Sequence, residues 1–228
     1  MMRILAVDTS TTTASVALIS NSDVVAEIFM NLGVHHSCVL LPAVEEICNM
    51  SRLELKDMDL FVCTIGPGSF TGVRMGLSTV KGFALSTGKP VVAVSTLEAL
   101  ALNLSGSPYM VCPMLDARKQ HVYTALYRTD DQQGLEVITD EMDTEINLFL
   151  QSVKDEVICI GEGAVKYAGI IKDVLQHKVS FAVGIHNHVR ASTAALLGEK
   201  KFLKGEQADF VHLVPKYLRL SEAETRMK

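Results

Sequence analysis

The sequence contains no tryptophan, no CxxC pair and no apolar run long enough to cross a membrane. Gly, Ser, Lys or Asp interrupts the longest apolar stretches before about 18 residues, so we expect no transmembrane helix. Met1-Met2-Arg3 leads directly into a strand-like run without an apolar leader and cleavage site, so we expect no secretion. The five unpaired cysteines are then interpreted as buried, reduced thiols of a cytoplasmic protein: Cys38, Cys48, Cys63, Cys112 and Cys159.

Positive charge is also scarce, with 21 Lys and Arg against 26 Asp and Glu and a formal net charge of −5. Autonomous binding to nucleic acid needs clustered cations, so this balance argues against it. If the protein works on RNA, another molecule must supply most of the phosphate contacts. The 228 residues, 48% of them hydrophobic, form an ordinary globular composition, enough for one large domain or two small ones.

Metal-ligating and hydrolytic residues do not form a recognisable set. His35 and His36 are neighbours, and adjacent side chains on a helix diverge by about 100°. His186 and His188 have a spacing that suits chelation from a strand, but no third ligand lies nearby in the sequence. No Ser-His-Asp or Cys-His arrangement can be assembled from spacing alone. We therefore predict neither a metal site nor a catalytic triad.

The most specific motif present is the glycine-rich block Gly66–Arg74, which reads GPGSFTGVR. It follows the apolar run 60–65 and opens a segment with helical spacing. Glycines allow a tight turn, and the free N–H groups of a helix start favour anions. The block is not a Walker loop, because no Gly-Lys-Ser/Thr follows it.

The two halves of the chain share a pattern of strand, aspartate, five-residue turn and strand. Asp8 ends the first strand of one copy of this pattern, and Asp116 ends the first strand of the other. The two aspartates are 116 − 8 = 108 residues apart. A second pair of matching strands ends in Gly66-Pro67-Gly68 and in Gly161-Glu162-Gly163. The matching order of the two patterns indicates an internal repeat.

Hydrophobic periodicity predicts strands and helices that alternate along the chain. The predicted strands are 3–8, 14–20, 23–30, 60–65, 90–94, 109–115, 121–128 and 157–160. The predicted helices are 38–50, 71–87, 96–103, 144–154, 164–176 and 192–204. Turn-forming residues at 103–108 mark the best boundary. We therefore expect mixed sheets flanked by helices, in lobes 1–104 and 105–228, with the C-terminal segment packing back on the first lobe.

The two aspartate turns are the candidate nucleotide site. A carboxylate with neighbouring hydroxyls, here Asp8 with Thr9, Ser10 and Thr11, can hold a magnesium-bound phosphate, and it can equally stabilise a plain turn. The turn after Asp116 carries bulky residues, Arg118, Lys119 and His121, which indicates an incomplete or remodelled site. Gly161 and Gly163 could contact a nucleotide or form an ordinary strand–helix turn.

The predicted helix 71–87 is apolar around a wide arc, and so is the helix 38–50. Such helices are buried on more than one side. Gly72 and Gly76 are four residues apart and would permit close helix approach, either inside the lobe or against a partner.

The chain closely resembles the TsaB (YeaZ) family over nearly its whole length, most strongly over 1–127. These stretches carry the resemblance: Arg3–Thr11, His36-Ser37 with Leu41-Pro42, Gly66–Arg74, Val94–Leu100, Leu115–Lys119 with Val122-Tyr123, and Pro215–Arg219. The resemblance implies a two-lobed α/β fold of the actin, sugar kinase and Hsp70 ATPase class.

This resemblance also implies a role in installing threonylcarbamoyl on adenosine in the anticodon loop of tRNA. In that pathway TsaD is the metal-dependent transferase, TsaB is a scaffold that activates it, and TsaE is a small P-loop ATPase. The resemblance implies a homodimer when the chain is alone, tRNA contact only through the complex, no membrane, and ATP or ADP with magnesium bound weakly or at a shared interface. The interface candidates are Gly68, Ser69, Phe70, Thr71, Gly72, Arg74, Met75 and Gly76.

Two alternatives remain open. A free-standing small-molecule kinase of the same fold would use Asp8 and Asp116 around magnesium-ATP. A peptidase is the third hypothesis, since the family is also related to glycoprotease-like proteins, but no protease residues can be carried over to this sequence.

Overall fold

The computed structural model describes residues 2–132, 134–207 and 209–219, which form two compact units. The first unit comprises the chain up to Ala99 together with Val189–Lys216. The second comprises Leu100–His188 together with the last described residues, 217–219. The strands are β1 Arg3–Asp8, β2 Ala14–Ser20, β3 Asp23–Met30, β4 Leu60–Thr64, β5 Val91–Val94, β6 Met110–Asp116, β7 His121–Thr124, β8 Tyr127–Thr129, β9 Leu135–Val137, β10 Met142–Glu145, β11 Val157–Ile160 and β12 Val179–Phe181. The α-helices are α1 His36–Ser51, α2 Phe70–Thr87, α3 Thr96–Leu102, α4 Ile146–Ser152, α5 Glu162–Lys166, α6 Ala168–Leu175 and α7 Ala191–Leu203.

The first unit is built on a five-stranded sheet in the order β3-β2-β1-β4-β5. Strands β1 to β3 form an antiparallel meander, whereas β4 and β5 join β1 in parallel. Apolar side chains of this sheet pack with α1 and α2 in one buried cluster that includes Leu5, Val7 and Phe61. Helix α7 packs against β1, β2, β4 and β5. Because β1 and β4 are covered by helices, they read as continuous apolar runs rather than alternating ones.

Helix α7 is fixed to the sheet by two features of its sequence. A Cβ at Gly198 would overlap the side chain of Val62, so the glycine allows the helix to approach the strand closely. At the start of the helix, the half-buried carboxylate of Glu27 accepts hydrogen bonds from Ser15 Oγ, from the Arg190 guanidinium and from the backbone N–H and hydroxyl of Ser192. Burial raises the pKa of Glu27, but the Arg190 and Ser192 donors outweigh it and lower the pKa overall.

The second unit repeats the strand order of the first. Its sheet runs β10-β7-β6-β11-β12, with β8 paired to β6 and to β9. Strand β7 is antiparallel to β6 and to β10, whereas β11 and β12 run parallel to β6, as β4 and β5 do to β1. Helices α4 and α6 pack with this sheet around Ile146, Phe149 and Ile171. The internal repeat predicted from the sequence is thus confirmed in the strand order of both sheets.

The α/β class and the mixed sheets with flanking helices are as predicted, and several details differ. The unit changes after Ala99, a few residues before the predicted boundary, and α7 belongs to the first unit. The predicted helix 164–176 is broken at Tyr167, and the predicted strand 121–128 ends at Thr124. No helix within the described ranges is long and apolar enough to cross a bilayer.

The cysteines differ in part from the predicted burial. All five thiols are free, and Cys63, Cys112 and Cys159 are buried in the two sheets. Cys38 is exposed because it lies on α1 outside the face that packs on the sheet. Cys48 packs against the buried cluster but is only partly covered. Burial raises the pKa of the Cys63 thiol to about 12, which makes it unreactive.

Candidate functional site

The carboxylate of Asp8 lies at the end of β1 and is fully buried. Its Oδ1 atom accepts hydrogen bonds from Ser10 N at 3.2 Å, Ser10 Oγ at 2.6 Å and Thr64 Oγ1 at 2.5 Å. Its Oδ2 atom has no hydrogen-bond partner within the described ranges. Burial raises the pKa of Asp8, and the hydroxyl donors counteract that effect only in part.

The glycine-rich block packs directly on the Asp8 turn. Ser69 N donates a hydrogen bond to Ser10 O at 2.7 Å, and Thr9 Oγ1 donates one to Gly72 O at 2.7 Å. A Cβ at Gly76 would lie 2.5 Å from Thr9 Oγ1, and a Cβ at Gly72 would overlap the Thr9 carbonyl oxygen. These glycines therefore let α2 approach the turn within its own lobe.

This packing gives three of the predicted interface residues a role inside their own lobe. Gly72 and Gly76 are buried, and a Cβ at Gly68 would overlap the carbonyl oxygen of Ser10. A bulky residue at Gly72 or Gly76 would therefore disrupt the lobe itself rather than leave a folded monomer. The sequence spacing was compatible with either role, because glycines four residues apart do not reveal which neighbour they approach.

Helix α2 presents a different face to solvent. Ser69 at its N-cap is exposed, and Phe70 and Met75 are half-buried. Exposed positions recur along the helix every three or four residues, at Thr71, Arg74, Ser78, Gly82 and Leu85, and Ser86 is exposed as well. A Cβ at Gly82 would meet nothing within 4 Å. The outer face of α2 is thus flat and made mostly of small side chains, apart from Arg74, which lies over the Phe70 ring, and Leu85.

Large apolar side chains are exposed on the same side of the sheet, where α1 and α2 pack. Leu85 of α2 is 76% exposed, and Leu41 and Met50 of α1 are 56% and 57% exposed. Leu32 and Val34, just before α1, are also exposed. Burying such side chains against a partner contributes about 25 cal/mol per Å² before entropic costs. We call the exposed side chains of Leu41, Met50, Ser78, Gly82 and Leu85 the α1/α2 surface.

The equivalent aspartate of the second unit has a different environment. Asp116 Oδ2 forms an ion pair with Lys166 Nζ at 2.5 Å, and Asp116 Oδ1 accepts hydrogen bonds from Tyr167 Oη at 2.8 Å and Arg118 N at 3.0 Å. Burial pushes the pKa of Asp116 upward, but the donors from Lys166 and Tyr167 outweigh it and lower the pKa. The lowered pKa favours the ionised carboxylate, and both of its oxygens accept hydrogen bonds from the protein.

The turn between β6 and β7 has an unusual backbone. Arg118, Lys119 and Gln120 have φ values of 63°, 51° and 60°, and all three residues are exposed. The left-handed conformation costs a non-glycine residue about 1 kcal/mol or more. Arg118 and Lys119 are exposed, whereas the sequence predicted that they would fill the space beside Asp116.

Gly161 and Gly163 have a packing role. Gly161 has a φ of 106° and donates its N–H to Asn187 Oδ1 at 2.8 Å. A Cβ at either glycine would overlap or crowd the Met114 carbonyl. Both are therefore required for α5 to begin directly beside β6, which does not require a ligand.

The sequence analysis missed one cluster in the second unit. Arg219 forms an ion pair with Asp143 at 2.5 Å and donates a hydrogen bond to the carbonyl of Ala117 at 3.0 Å. His121 Nδ1 lies 3.0 Å from Asp143 Oδ1. The cluster braces the base of the β6–β7 turn. Its only sequence signal was the Pro215–Arg219 motif, which gives no indication of its contacts.

These geometries allow a test of whether a magnesium nucleotide fits. Asp8, Thr9 and Ser10 have at most 1% of their surface exposed, so neither their carboxylate nor their hydroxyls can meet a phosphate from solvent. Asp116 is already paired with Lys166, and Gly161 and Gly163 pack closely against the Met114 carbonyl. Within its own unit, neither aspartate turn fits a magnesium nucleotide.

The histidines considered as metal ligands take part in hydrogen bonds within the fold. His36 Nε2 lies 2.9 Å from the Thr11 carbonyl, and the carbonyls of His186 and His188 both accept hydrogen bonds from Asn103 Nδ2. Among the described residues no three His, Cys, Asp or Glu side chains are grouped so that they could hold a metal ion.

Comparison with known proteins places these features in a family context. The family model described as TsaD, tRNA N6-adenosine threonylcarbamoyltransferase, matches residues 30–227. The tRNA threonylcarbamoyladenosine biosynthesis protein TsaB of Bacillus subtilis is 36% identical over 99% of this chain and 97% of its own length. The protein of the same name from Escherichia coli is 34% identical over 71% of this chain and 72% of its own.

Solved structures show the same relationship. YeaZ from Pseudomonas aeruginosa aligns with a TM-score of 0.81 and 26% identity, covering 96% of this chain and all of that one. A ROK hexokinase from Thermus thermophilus aligns with a TM-score of 0.51 at 10% identity, covering 90% of this chain and 100% of that chain. The second similarity concerns the fold alone and agrees with the predicted sugar-kinase class.

Proposed function

Because the chain belongs to the TsaB (YeaZ) family of tRNA threonylcarbamoyladenosine biosynthesis proteins, we propose that it is the non-catalytic subunit that binds and activates a TsaD-type transferase. The observation that carries this proposal is the full-length match to TsaB, and the exposed apolar side chains on α1 and α2 support it. The match of residues 30–227 to the TsaD model supports it further, since it relates this chain to the transferase itself.

The two aspartate turns support a role outside catalysis. A phosphate-clamping turn needs an accessible carboxylate and small residues that let the backbone approach the ligand. Asp8 is sealed beneath the glycine-rich block, and Asp116 is ion-paired with Lys166. We therefore propose that any magnesium nucleotide binds at an interface with a partner.

The α1/α2 surface supports pairing through the first unit. Small side chains at Ser78 and Gly82 would let a partner helix lie close to α2, and Leu41 and Leu85 would lose solvent exposure on contact. In this proposal the surface pairs with TsaD in the complex and with a second copy when the chain is alone. TsaE joins the assembly, and TsaD supplies the chemistry.

Substitution of the small outer residue tests the proposal. Gly82→Trp should leave the fold intact, since a side chain at Gly82 enters open space, but it should abolish pairing because the indole would hold the partner helix away. Gly169→Trp is the matched control, because Gly169 is also an exposed helical glycine with nothing within 4 Å of a Cβ, and it lies on α6 of the other unit. Size-exclusion chromatography of each variant, alone and with the transferase, reports assembly.

Reconstitution completes the experiment. We expect threonylcarbamoyl transfer to tRNA by the transferase only when this chain is added, with Gly169→Trp active and Gly82→Trp inactive. Turnover by the isolated chain, or full activity of the transferase without it, would refute the non-catalytic activator. If the Gly82→Trp variant still pairs, the interface lies elsewhere on the chain. Tight ATP binding by the isolated chain, lost in Asp8→Ala, would favour the kinase alternative.

A further inference from the structure

Residues 209–216 follow α7 in the first unit and form a segment without helix or strand, which we call the strap. Two hydrogen bonds tie its backbone to the unit. Lys81 Nζ of α2 donates to Val211 O at 3.2 Å, and Lys216 N donates to Ile65 O at 2.7 Å. The strap is therefore held against α2 at Lys81 and again at the end of β4, just before α2 begins.

The strap is apolar on two sides, and the unit covers only one of them. Phe210 and Leu213 pack against the buried cluster of the first unit. Val211 and Val214 are 63% and 67% exposed. The turn that separates the two pairs closes on Asp209, whose carbonyl accepts a hydrogen bond from Leu213 N at 3.1 Å. Because its inner side chains are packed, the strap presents its outer valines from a fixed backbone, which lowers the entropic cost of binding a partner.

The outer valines lie beside the α1/α2 surface. Lys81, which holds the strap at Val211, directly precedes Gly82 on α2, and Leu85 lies four residues further on, one helical turn away. The Lys81 ammonium is bonded to the strap carbonyl, so the strap adds apolar area next to Gly82 and Leu85. A partner that covers these two residues therefore also meets the strap.

We propose that Val211 and Val214 extend the α1/α2 surface and are buried with it against the TsaD-type transferase, and that Lys81 positions them. This inference rests on the proposed function, since that proposal supplies the partner. Its physical basis is continuity: the strap and the outer face of α2 are joined at Lys81, and both present side chains that gain from losing contact with water. The match to the TsaD family model spans residues 30–227, a range that contains α1, α2 and the strap.

The test measures the affinity of the full chain for the purified transferase by isothermal titration calorimetry. Val211→Thr with Val214→Thr keeps the branched shape and adds hydroxyls that lose hydrogen bonds to water when buried, so binding should weaken about ten-fold. Both positions are exposed, so Tm should stay within about 2 °C of the native value.

The chain offers a matched control with the same substitution. Val24 and Val25 are 53% and 52% exposed in the same unit, but they lie on β3, which two strands separate from β4. Val24→Thr with Val25→Thr should therefore bind the transferase like the native chain. An equal loss of affinity in the control and in the strap variant would overturn the proposal, because the loss would then not be specific to the strap.

A second experiment separates contact by the valines from support by Lys81. Lys81→Met cannot donate to the Val211 carbonyl, so the strap is less well fixed and binding should weaken about three-fold. If Lys81 acts only by positioning, this loss should disappear when Val211 and Val214 are already threonine. Additive losses would show that Lys81 itself contacts the transferase and would overturn its positioning role.

Gly82→Trp distinguishes failure of this inference from failure of the proposed function. If Gly82→Trp abolishes binding while the threonine variant of the strap binds like the native chain, the strap lies outside the interface and the inference is overturned, although the proposed function stands. If the native chain does not bind the transferase, both are refuted. A strap variant that weakens only self-association would assign the strap to contact with a second copy and would overturn the choice of partner.

Discussion

Asp8 and Asp116 end equivalent strands, and their surroundings shift the two carboxyl pKa values in opposite directions. Burial raises the pKa of Asp8 against the opposing hydrogen bonds from Ser10 and Thr64, whereas Lys166 and Tyr167 lower the pKa of Asp116 against its partial burial. A carboxyl with a raised pKa in the folded state stabilises the fold at low pH and loses that contribution as pH rises through the folded pKa. A carboxyl with a lowered pKa behaves in the opposite way.

The two asparagine variants should therefore show opposite pH dependence. Asp8→Asn removes a buried charge while Ser10 and Thr64 can still donate to the amide oxygen, so its Tm relative to the native chain should rise from pH 4 to pH 8. Asp116→Asn loses the Lys166 ion pair, so its Tm deficit should be largest at pH 8 and shrink as pH falls below about 4. Thermal melts at pH 8, pH 4 and about pH 2.5 check the pair, because the Asp116 contribution is lost only as pH falls through its lowered pKa. Parallel pH profiles would contradict this assignment of charge.

Two glycines on helix α2 have different surroundings, so they affect its stability differently. On α2, Gly76 faces Thr9 at a distance that excludes a methyl group, and Gly82 faces open space. Helix propensity alone favours alanine over glycine by about 1 kcal/mol in a helix interior. Whether that gain is realised depends on what lies beside the helix.

Alanine at these two positions should change stability in opposite directions. Gly82→Ala should raise the free energy of unfolding by about 0.5 to 1 kcal/mol, because only propensity changes. Gly76→Ala should lower it by about 1 to 3 kcal/mol, because the methyl group overpacks the Asp8 turn. Urea denaturation of the two variants measures both values. A stabilised Gly76→Ala protein would show that the turn can move away from the helix.

Elements with strong periodicity could be predicted from the sequence, and short ones could not. The internal repeat around Asp8 and Asp116 was visible in the sequence, and α2 was predicted within one residue of its start at Phe70. Strands β9, β10 and β12 have three or four residues each, too few to show an alternating pattern. Neither Gly nor Pro stands at the break. Tyr167 itself adopts a non-helical conformation there, which its residue type does not predict.

The sequence identified the residues of the candidate site but not the neighbours that they contact. The sequence indicated that Gly68, Gly72 and Gly76 serve a close approach, and it could not show that the neighbour is the Asp8 turn of the same lobe. The positive φ values of Arg118, Lys119 and Gln120 were also hidden, because these residue types do not favour that backbone. The pairing of Asp116 with Lys166 joins residues 50 apart, which no local pattern reveals.

At the scale of the whole molecule, the proposed pairing predicts a stability that depends on protein concentration. A dimer that binds only the folded chain raises Tm as concentration increases, by mass action. The native chain should therefore melt several degrees higher at 100 µM than at 1 µM. Gly82→Trp should melt at one temperature across that range, because its α1/α2 surface no longer pairs. Calorimetry over the series decides, and a native Tm that does not change with concentration would argue against a homodimer.

The discontinuous first unit has a consequence for synthesis on the ribosome. Strands β1 to β5 emerge first, yet α7, which covers one face of their sheet, is made only after residues 100–188 of the second unit. Apolar side chains of the sheet such as Ile4 and Val62 remain uncovered by α7 during that interval. Nascent chains stalled before residue 191 should therefore be the species that chaperones hold, whereas those stalled well beyond residue 203 should escape them.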